Sequence, residues 1–276
     1  MIAVALALAA TATDKVDIKP AADLTIAGIG LVAWVLPEVF QDQLAPHCRI
    51  CDGPDNSGLP GTGSPGTLNA VDRWFHDATV GWLMSRNTAD AASSVVSYLI
   101  VPVGAVVGAW TTTGPYATEG AGWRAMAIVG ESAVVSGALV SAFKFTLARK
   151  RPFVRYGTGE TSGTYDVTTG DSRASLPSGH VAFVTSLGVS LAMTATLQES
   201  EAAPWLWAAA GVTTVVTATL RLIAEKHYFT DVLAGAAVGG AAGTVIPLLH
   251  RRGGLLSSDS VSVAPQGGGF ALSGRF

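Results

Sequence analysis

Six apolar segments, residues 24–36, 95–110, 125–143, 181–197, 205–220 and 232–249, run through the chain, and ionisable residues gather at their ends. None alternates with a period of two, and Ala, Leu and small residues dominate, so each predicts a helix. They run from 13 to 19 residues, a little short of the about 20 that a perpendicular membrane span needs. With 49% apolar residues and a mean hydropathy of +0.41, the expected fold is an all-α bundle of about six apolar helices, embedded in a membrane. A compact soluble bundle is the alternative. A formal charge of −3, with no basic tract longer than three residues, gives no footing for a nucleic-acid partner.

The flanks are less regular. Residues 1–12 carry a short apolar run ending in Ala10-Thr11-Ala12, a small-residue pattern of the kind cleaved from exported proteins, and are expected to be a signal peptide. Cys48 and Cys51 in "PHCRICDG" supply two ligands where a structural zinc needs four, so a local disulfide is expected in an exported chain. "CDGPDNSGLPGTGSPGTLN" is a loop by its turn chemistry. "AVDRWFHDATVGWLMSR" reads as an amphipathic interfacial helix with Trp74, Phe75 and Trp82, His76 being a surface residue. The tail "SVSVAPQGGGFALSGRF" alternates around a Gly-rich turn and predicts a small β-hairpin. The chain divides into 1–12, the signal peptide; 13–93, an N-terminal helix, the CxxC loop and the amphipathic helix; 94–252, the helical bundle; and 253–276, a tail. Within the last apolar segment Gly235, Gly239 and Gly243 recur every four residues, which predicts close helix packing. Glu131, inside "AIVGESAVVSG", is an acid in an apolar segment and is expected to make buried hydrogen bonds away from any site.

Three polar clusters stand at segment boundaries. In "KFTLARKRP", Lys144 and Arg151 are seven apart and are expected on one helix face, with Pro152 stopping the helix. In "SLPSGH", Pro177, Ser178 and Gly179 open a segment just before His180, and a helix N-terminus offers free amides to an anion. "LRLIAEKHYFTD" contributes Arg221, His227 and Asp231. If each segment crosses the bundle once, all three clusters meet on one face. Three fixed cations and free amides suit a phosphate-like anion, and two histidines suit a nucleophile and an acid. Asp231, four residues after His227, is expected to hold that ring in one tautomer.

These motifs resemble the type 2 phosphatidic acid phosphatase family, which shares its site with vanadium haloperoxidases and class A bacterial acid phosphatases. The family pattern is Lys-x6-Arg-Pro, then Pro-Ser-Gly-His, then Ser-Arg-x5-His-x3-Asp. Here stand "KFTLARKRP", "PSGH" and "LRLIAEKHYFTD", with Leu220 where the family usually has Ser. The resemblance covers roughly residues 95–249 and makes 94–252 a phosphatase domain. It implies that His227 attacks phosphorus, that Asp231 orients it, and that His180 protonates the leaving group and then activates water. It also implies that Lys144, Arg151, Ser178, Gly179 and Arg221 hold the phosphoryl oxygens. No metal or other cofactor is implied, because the cations stabilise the charge. His227 must be neutral and His180 protonated, so a bell-shaped pH profile is expected.

The expected function is hydrolysis of a lipid phosphate or polyprenyl diphosphate through a phosphohistidine, the partners being a phosphorylated lipid and the membrane. Alternatives are a vanadate-dependent haloperoxidase, a non-specific class A-type acid phosphatase, and a phosphate-lipid binding protein without turnover. Haloperoxidases are usually much longer, and binding alone needs no histidine pair. Six spans with a cytoplasmic start, or five without 24–36, put the clusters outside and the basic "HRR" at 250–252 inside, as the positive-inside rule prefers. Six spans after a cleaved signal put them in the cytoplasm. The expected location is therefore a bacterial-type inner membrane with a periplasmic site, a soluble periplasmic enzyme being the alternative.

Overall fold

The structure, a computed structural model, describes residues 14–50, 68–115 and 117–258 and the strands Ser262–Gln266 and Gly269–Ser273. The expected signal peptide, Cys51 and most of the Gly/Pro-rich loop lie outside the described residues. Six helices carry the fold: α1 (Pro20–Val39), α2 (Arg86–Thr111), α3 (Ala121–Leu147), α4 (Gly179–Leu197), α5 (Ala203–Ile223) and α6 (Phe229–Leu249). Among the described residues these six are long and apolar enough to cross a membrane, at 19 to 27 residues each. They exceed the apolar segments because the polar ends are helical too. Ser85, for instance, accepts from the Thr88 amide and starts α2 on a polar turn. Residue 94, the expected domain boundary, therefore falls inside α2.

Two helix details shape the site. Pro102 has no amide to donate and disrupts the regular ladder; just before it, residues Val96–Ile100 form a π turn, closed by the Val101 amide on the Val96 carbonyl. Helix α3 stops at Leu147, where Ala148 adopts a left-handed conformation (φ 44°) and returns its amide to the Lys144 carbonyl. Lys144 and Arg151 therefore do not share a helix face, contrary to the expectation from their spacing. Arg151 precedes a proline, which disfavours helical backbone, and it is extended. Pro152 does not stop α3; it opens a separate short helix, Pro152–Arg155.

Helix α4 lies at the centre, packed against α6, α5, α3 and α2. Small residues on α2 and α3 (Ala105, Ala109, Ala125, Ala133) meet Val184, Leu187 and Leu191 of α4 in the main core. Buried hydroxyls add polar links, such as Ser132 Oγ donating to Ser190 Oγ at 2.9 Å between α3 and α4. Outside, the bundle is apolar. Leu24 and Ile29 of α1 are 75% and 67% exposed, and Trp205 and Val215 of α5 are 78% and 64% exposed. Such a surface is stable in hydrocarbon and a liability in water. The fold is a membrane-embedded all-α bundle, with an antiparallel hairpin pairing Ser262–Gln266 with Gly269–Ser273.

The amphipathic stretch is shorter than expected. It is helical over Ala70–Thr79, capped by Asn69. His76 is not a free surface residue: its ring stacks on Tyr156 at 3.5 Å between centroids and its Nε2 lies 3.2 Å from Glu225. Trp74 and Trp82 remain exposed.

The Gly235/Gly239/Gly243 stripe is where α6 meets the backbone of α4. A Cβ on Gly239 would stand 2.2 Å from the Ala182 carbonyl oxygen, and one on Gly235 2.5 Å from that of Ser178. At Gly104 of α2 nothing lies within 4 Å. Replacing Gly239 by Val should therefore cost roughly 1–3 kcal/mol or more and visibly lower the melting temperature of the detergent-purified protein. Gly104→Ala should leave that temperature unchanged or raise it slightly.

Candidate functional site

The bundle's connectivity decides where the polar clusters fall. The chain reaches one end of the bundle after α1, α3 and α5 and leaves it into α2, α4 and α6. All three clusters consequently stand at that end. There they surround one cavity of about 540 Å³, lined among others by Lys144, Arg151, Gly179, His180, Arg221 and His227. Six of the eight residues singled out in the sequence are thus brought together. The other two, Ser178 and Asp231, are fully buried and do not line the cavity.

Their contacts show why. The Ser178 amide donates to the Asp231 carbonyl oxygen at 2.9 Å, so that amide is not available to an anion. Asp231 accepts from Arg149 at 2.6 Å, from the Ser175 hydroxyl at 2.5 Å and from the Tyr228 amide at 2.9 Å. Its carboxylate stays 3.8 Å from His227 Nδ1, beyond hydrogen-bond reach. The group that orients His227 is the Ser175 carbonyl oxygen, 2.6 Å from Nδ1. A carbonyl only accepts, so Nδ1 carries the proton and Nε2 presents its lone pair. Asp231 acts one step removed, by fixing Ser175.

Nε2 faces Arg151, whose Nη1 donates to it at 3.1 Å and also to the Lys226 carbonyl at 2.8 Å. Burial, and then the charges of Arg151, Arg221 and Lys144, hold His227 well below the ordinary histidine pKa. His180 opens α4 and lines the same cavity, with Nε2 at 3.5 Å from the Ser94 hydroxyl and its ring edge-on to Tyr98 of the π turn, 4.9 Å between centroids.

Sequence reasoning missed the carboxylates. Lys144 Nζ is 2.8 Å from Glu38 of α1, Arg151 is 2.6 Å from Asp171, and Arg221 is 2.5 Å from Asp90 of α2. Lys226 also lines the cavity, donating to the Thr164 carbonyl and lying over the Tyr165 ring at 4.3 Å. Burial and the nearby Arg151 lower its pKa to about 8. Burial would raise Asp171, but Arg151, Lys144 and Lys226 bring it down to about 2. Four cations face three carboxylates, so the cavity carries one net positive charge when both histidines are neutral. Spacing offered no signal for these acids, because each belongs to an element distant in sequence.

The family model of the PAP2 superfamily matches residues 125–254. Those residues belong to the PAP2 superfamily. The PAP2 segment holds every cation and both histidines of the cavity, whereas Glu38 and Asp90 precede it. Among solved structures the chain is similar to the crystal structure of the first transmembrane PAP2 type phosphatidylglycerolphosphate phosphatase from Bacillus subtilis. The identity is 19% over 65% of this chain and 85% of that one, with a TM-score of 0.45. No curated protein matches the chain.

Two outcomes follow for the PAP2 site. Because His227 is depressed, it stays neutral as pH falls through 6.5 and takes a proton only at lower pH. The acidic limb of kcat/KM, which reports the free enzyme, should therefore lie below pH 6.5 in a pH–rate series. Glu38 is one-third exposed, so its pair with Lys144 is a modest one. Glu38→Gln should free Lys144 and lower KM for a phosphorylated substrate by up to about fivefold, the scale of a partly exposed ion pair.

Proposed function

We propose that the protein hydrolyses a phosphate monoester or diphosphate carried by a lipid, through a covalent phosphohistidine on His227. The observation that carries this reading is the Ser175-held tautomer of His227, whose Nε2 lone pair meets Arg151 in a cavity with four cations and a second histidine. A binding protein has no use for a neutral, oriented imidazole among cations, whereas phosphoryl transfer needs it.

In the first step the Nε2 lone pair forms a bond to phosphorus as the P–O bond to the lipid breaks. The departing oxygen takes a proton from His180. In the second step water attacks the phosphohistidine, passes a proton to His180, and phosphate leaves with Nε2 restored. Lys144, Arg151 and Arg221 exchange their carboxylate partners for phosphoryl oxygens, with Gly179 at the start of α4 and Lys226 beside them. Ser178 and Asp231 support the wall behind them.

A lipid is favoured by the cavity's mouth. Val35 and Val39 of α1 line the cavity and belong to an exposed apolar face of that helix with Leu31, Val32, Leu36 and Phe40. A hydrocarbon chain can lie along such a face, and a soluble sugar phosphate has no use for it. We also place the cavity on the non-cytoplasmic side of the membrane. Cys48 is disulfide-bonded, and its neighbours Arg49 and Ile50 bond to Ala148 and Lys150 at the cavity end. A disulfide belongs to an oxidising compartment. The basic residues Lys15, Arg251 and Arg252 then stand at the opposite, cytoplasmic end.

The test is phosphate release by the detergent-purified chain from phosphatidate and from a polyprenyl diphosphate. His227→Ala should reduce turnover with both by roughly 10³-fold or more and leave no acid-labile phosphoenzyme after a rapid quench. Substantial hydrolysis by that variant rules the mechanism out.

A further inference from the structure

At the end of the bundle opposite the cavity, three helices bring ionisable groups together. Asp23 lies in the first turn of α1, Glu131 within α3, and His250 just after α6. They are 9%, 3% and 0% exposed. The expectation that Glu131 makes buried hydrogen bonds is not met: among the described residues neither of its carboxylate oxygens has a hydrogen-bond partner, nor does Asp23 Oδ2. Buried carboxylates without partners are costly unless something balances them.

His250 indicates what balances them. Its Nδ1 lies 2.9 Å from the Ile246 carbonyl oxygen. That oxygen only accepts, so Nδ1 carries a proton and Nε2 is the atom turned to the acids. This is the backbone hydrogen bond that commonly fixes a metal-ligating imidazole. Nε2 stands 3.2 Å from Asp23 Oδ1 and 3.5 Å from Glu131 Oε2, and one ligand atom from each residue falls within 4.8 Å of the others. Ligands about 2.0–2.2 Å from a tetrahedral zinc stand about 3.4 Å from one another. The separations fall on either side of that value, and Glu131 sits too far from the ring for a good hydrogen bond.

We propose that Asp23, Glu131 and His250 form a binding site for one divalent cation of the zinc class. Two carboxylates and a neutral imidazole bring two negative charges, which a divalent cation cancels. The donor set of one nitrogen and two carboxylates suits zinc. The site joins the first turn of α1 to α3 and α6, adding to the packing of Gly30 on Val134 and of Trp34 on Gly137. At its other end α1 carries Glu38 onto Lys144. A cation at Asp23 therefore fixes the helix that forms one wall of the phosphate cavity, about 22 Å away by helical rise. It plays no part in the bond-breaking steps.

The experiment uses the full chain purified in detergent, stripped with chelator, reloaded with zinc chloride and desalted. Metal content by mass spectrometry and the melting temperature are both read, and cobalt(II) replaces zinc for an absorption spectrum. The expected result is about one zinc per chain, a melting temperature raised by several degrees on reloading, and cobalt bands of a tetrahedral N/O site. Glu131→Gln and the milder Asp23→Asn should each lower zinc retention at least tenfold, while His227→Ala, which alters only the phosphate cavity, should retain it. Wild-type protein that keeps less than about 0.1 zinc per chain and melts at the same temperature with and without zinc overturns the proposal. Those values would mean that a proton on His250 alone bridges the acids. Zinc lost in His227→Ala but kept in Glu131→Gln overturns it too, by locating the metal in the phosphate cavity.

Discussion

Arg149 is the interaction on which the site's geometry rests. Its guanidinium reaches Asp231 at 2.6 Å, Thr230 at 2.7 Å and Asp72 at 2.8 Å, and lies over the Tyr228 ring at 4.1 Å. One buried cation thereby joins the segment after α3, the helix Ala70–Thr79 and the start of α6. Asp231, held in this way, grips the Ser175 hydroxyl, and the Ser175 carbonyl holds His227. The orientation of the histidine is thus inherited from an ion-pair network with no contact to the cavity. Removing one partner of such a buried network leaves an uncompensated charge and is far more damaging than removing an exposed pair.

The cavity itself solves a different electrostatic problem. Four cations gathered at the end of an apolar bundle would repel one another and destabilise the fold. Glu38, Asp90 and Asp171 neutralise three of them in the absence of an anion. On the proposed function, each carboxylate is the partner that a phosphoryl oxygen replaces. Binding under that proposal is an exchange of one set of charge-assisted hydrogen bonds for another. The net positive charge that remains favours an anion, and the burial of Arg151 and Arg221 strengthens the pairs that they make.

The two ends of the bundle contrast. Cations dominate one, and the acids Asp23 and Glu131 meet His250 at the other. Helix α1 touches both groups, although it belongs to neither the central core nor the PAP2 segment.

The number of helices and their apolar character were legible in the sequence, because a span needs a long run without charge and six such runs stand in the chain. So was the gathering of Lys144, Arg151, Gly179, His180, Arg221 and His227, since the alternation of crossings sends every second boundary to the same end. The tertiary structure alone decided which group touches which. Spacing placed Asp231 within an i, i+4 step of His227, yet the shorter approach from Ser175 won, because Arg149 draws the carboxylate away from the ring. Spacing likewise placed Arg151 on the helix of Lys144, yet Ala148 ends that helix and the two cations meet only through the turn of the chain. Glu38, Asp90 and Asp171 gave no local signal, since a pairing between elements dozens of residues apart is written in how the helices pack and not in any motif. Local periodicity determines where a chain crosses the bundle; partners for buried charge are chosen by packing, when each group is satisfied by whatever the fold brings within hydrogen-bond reach.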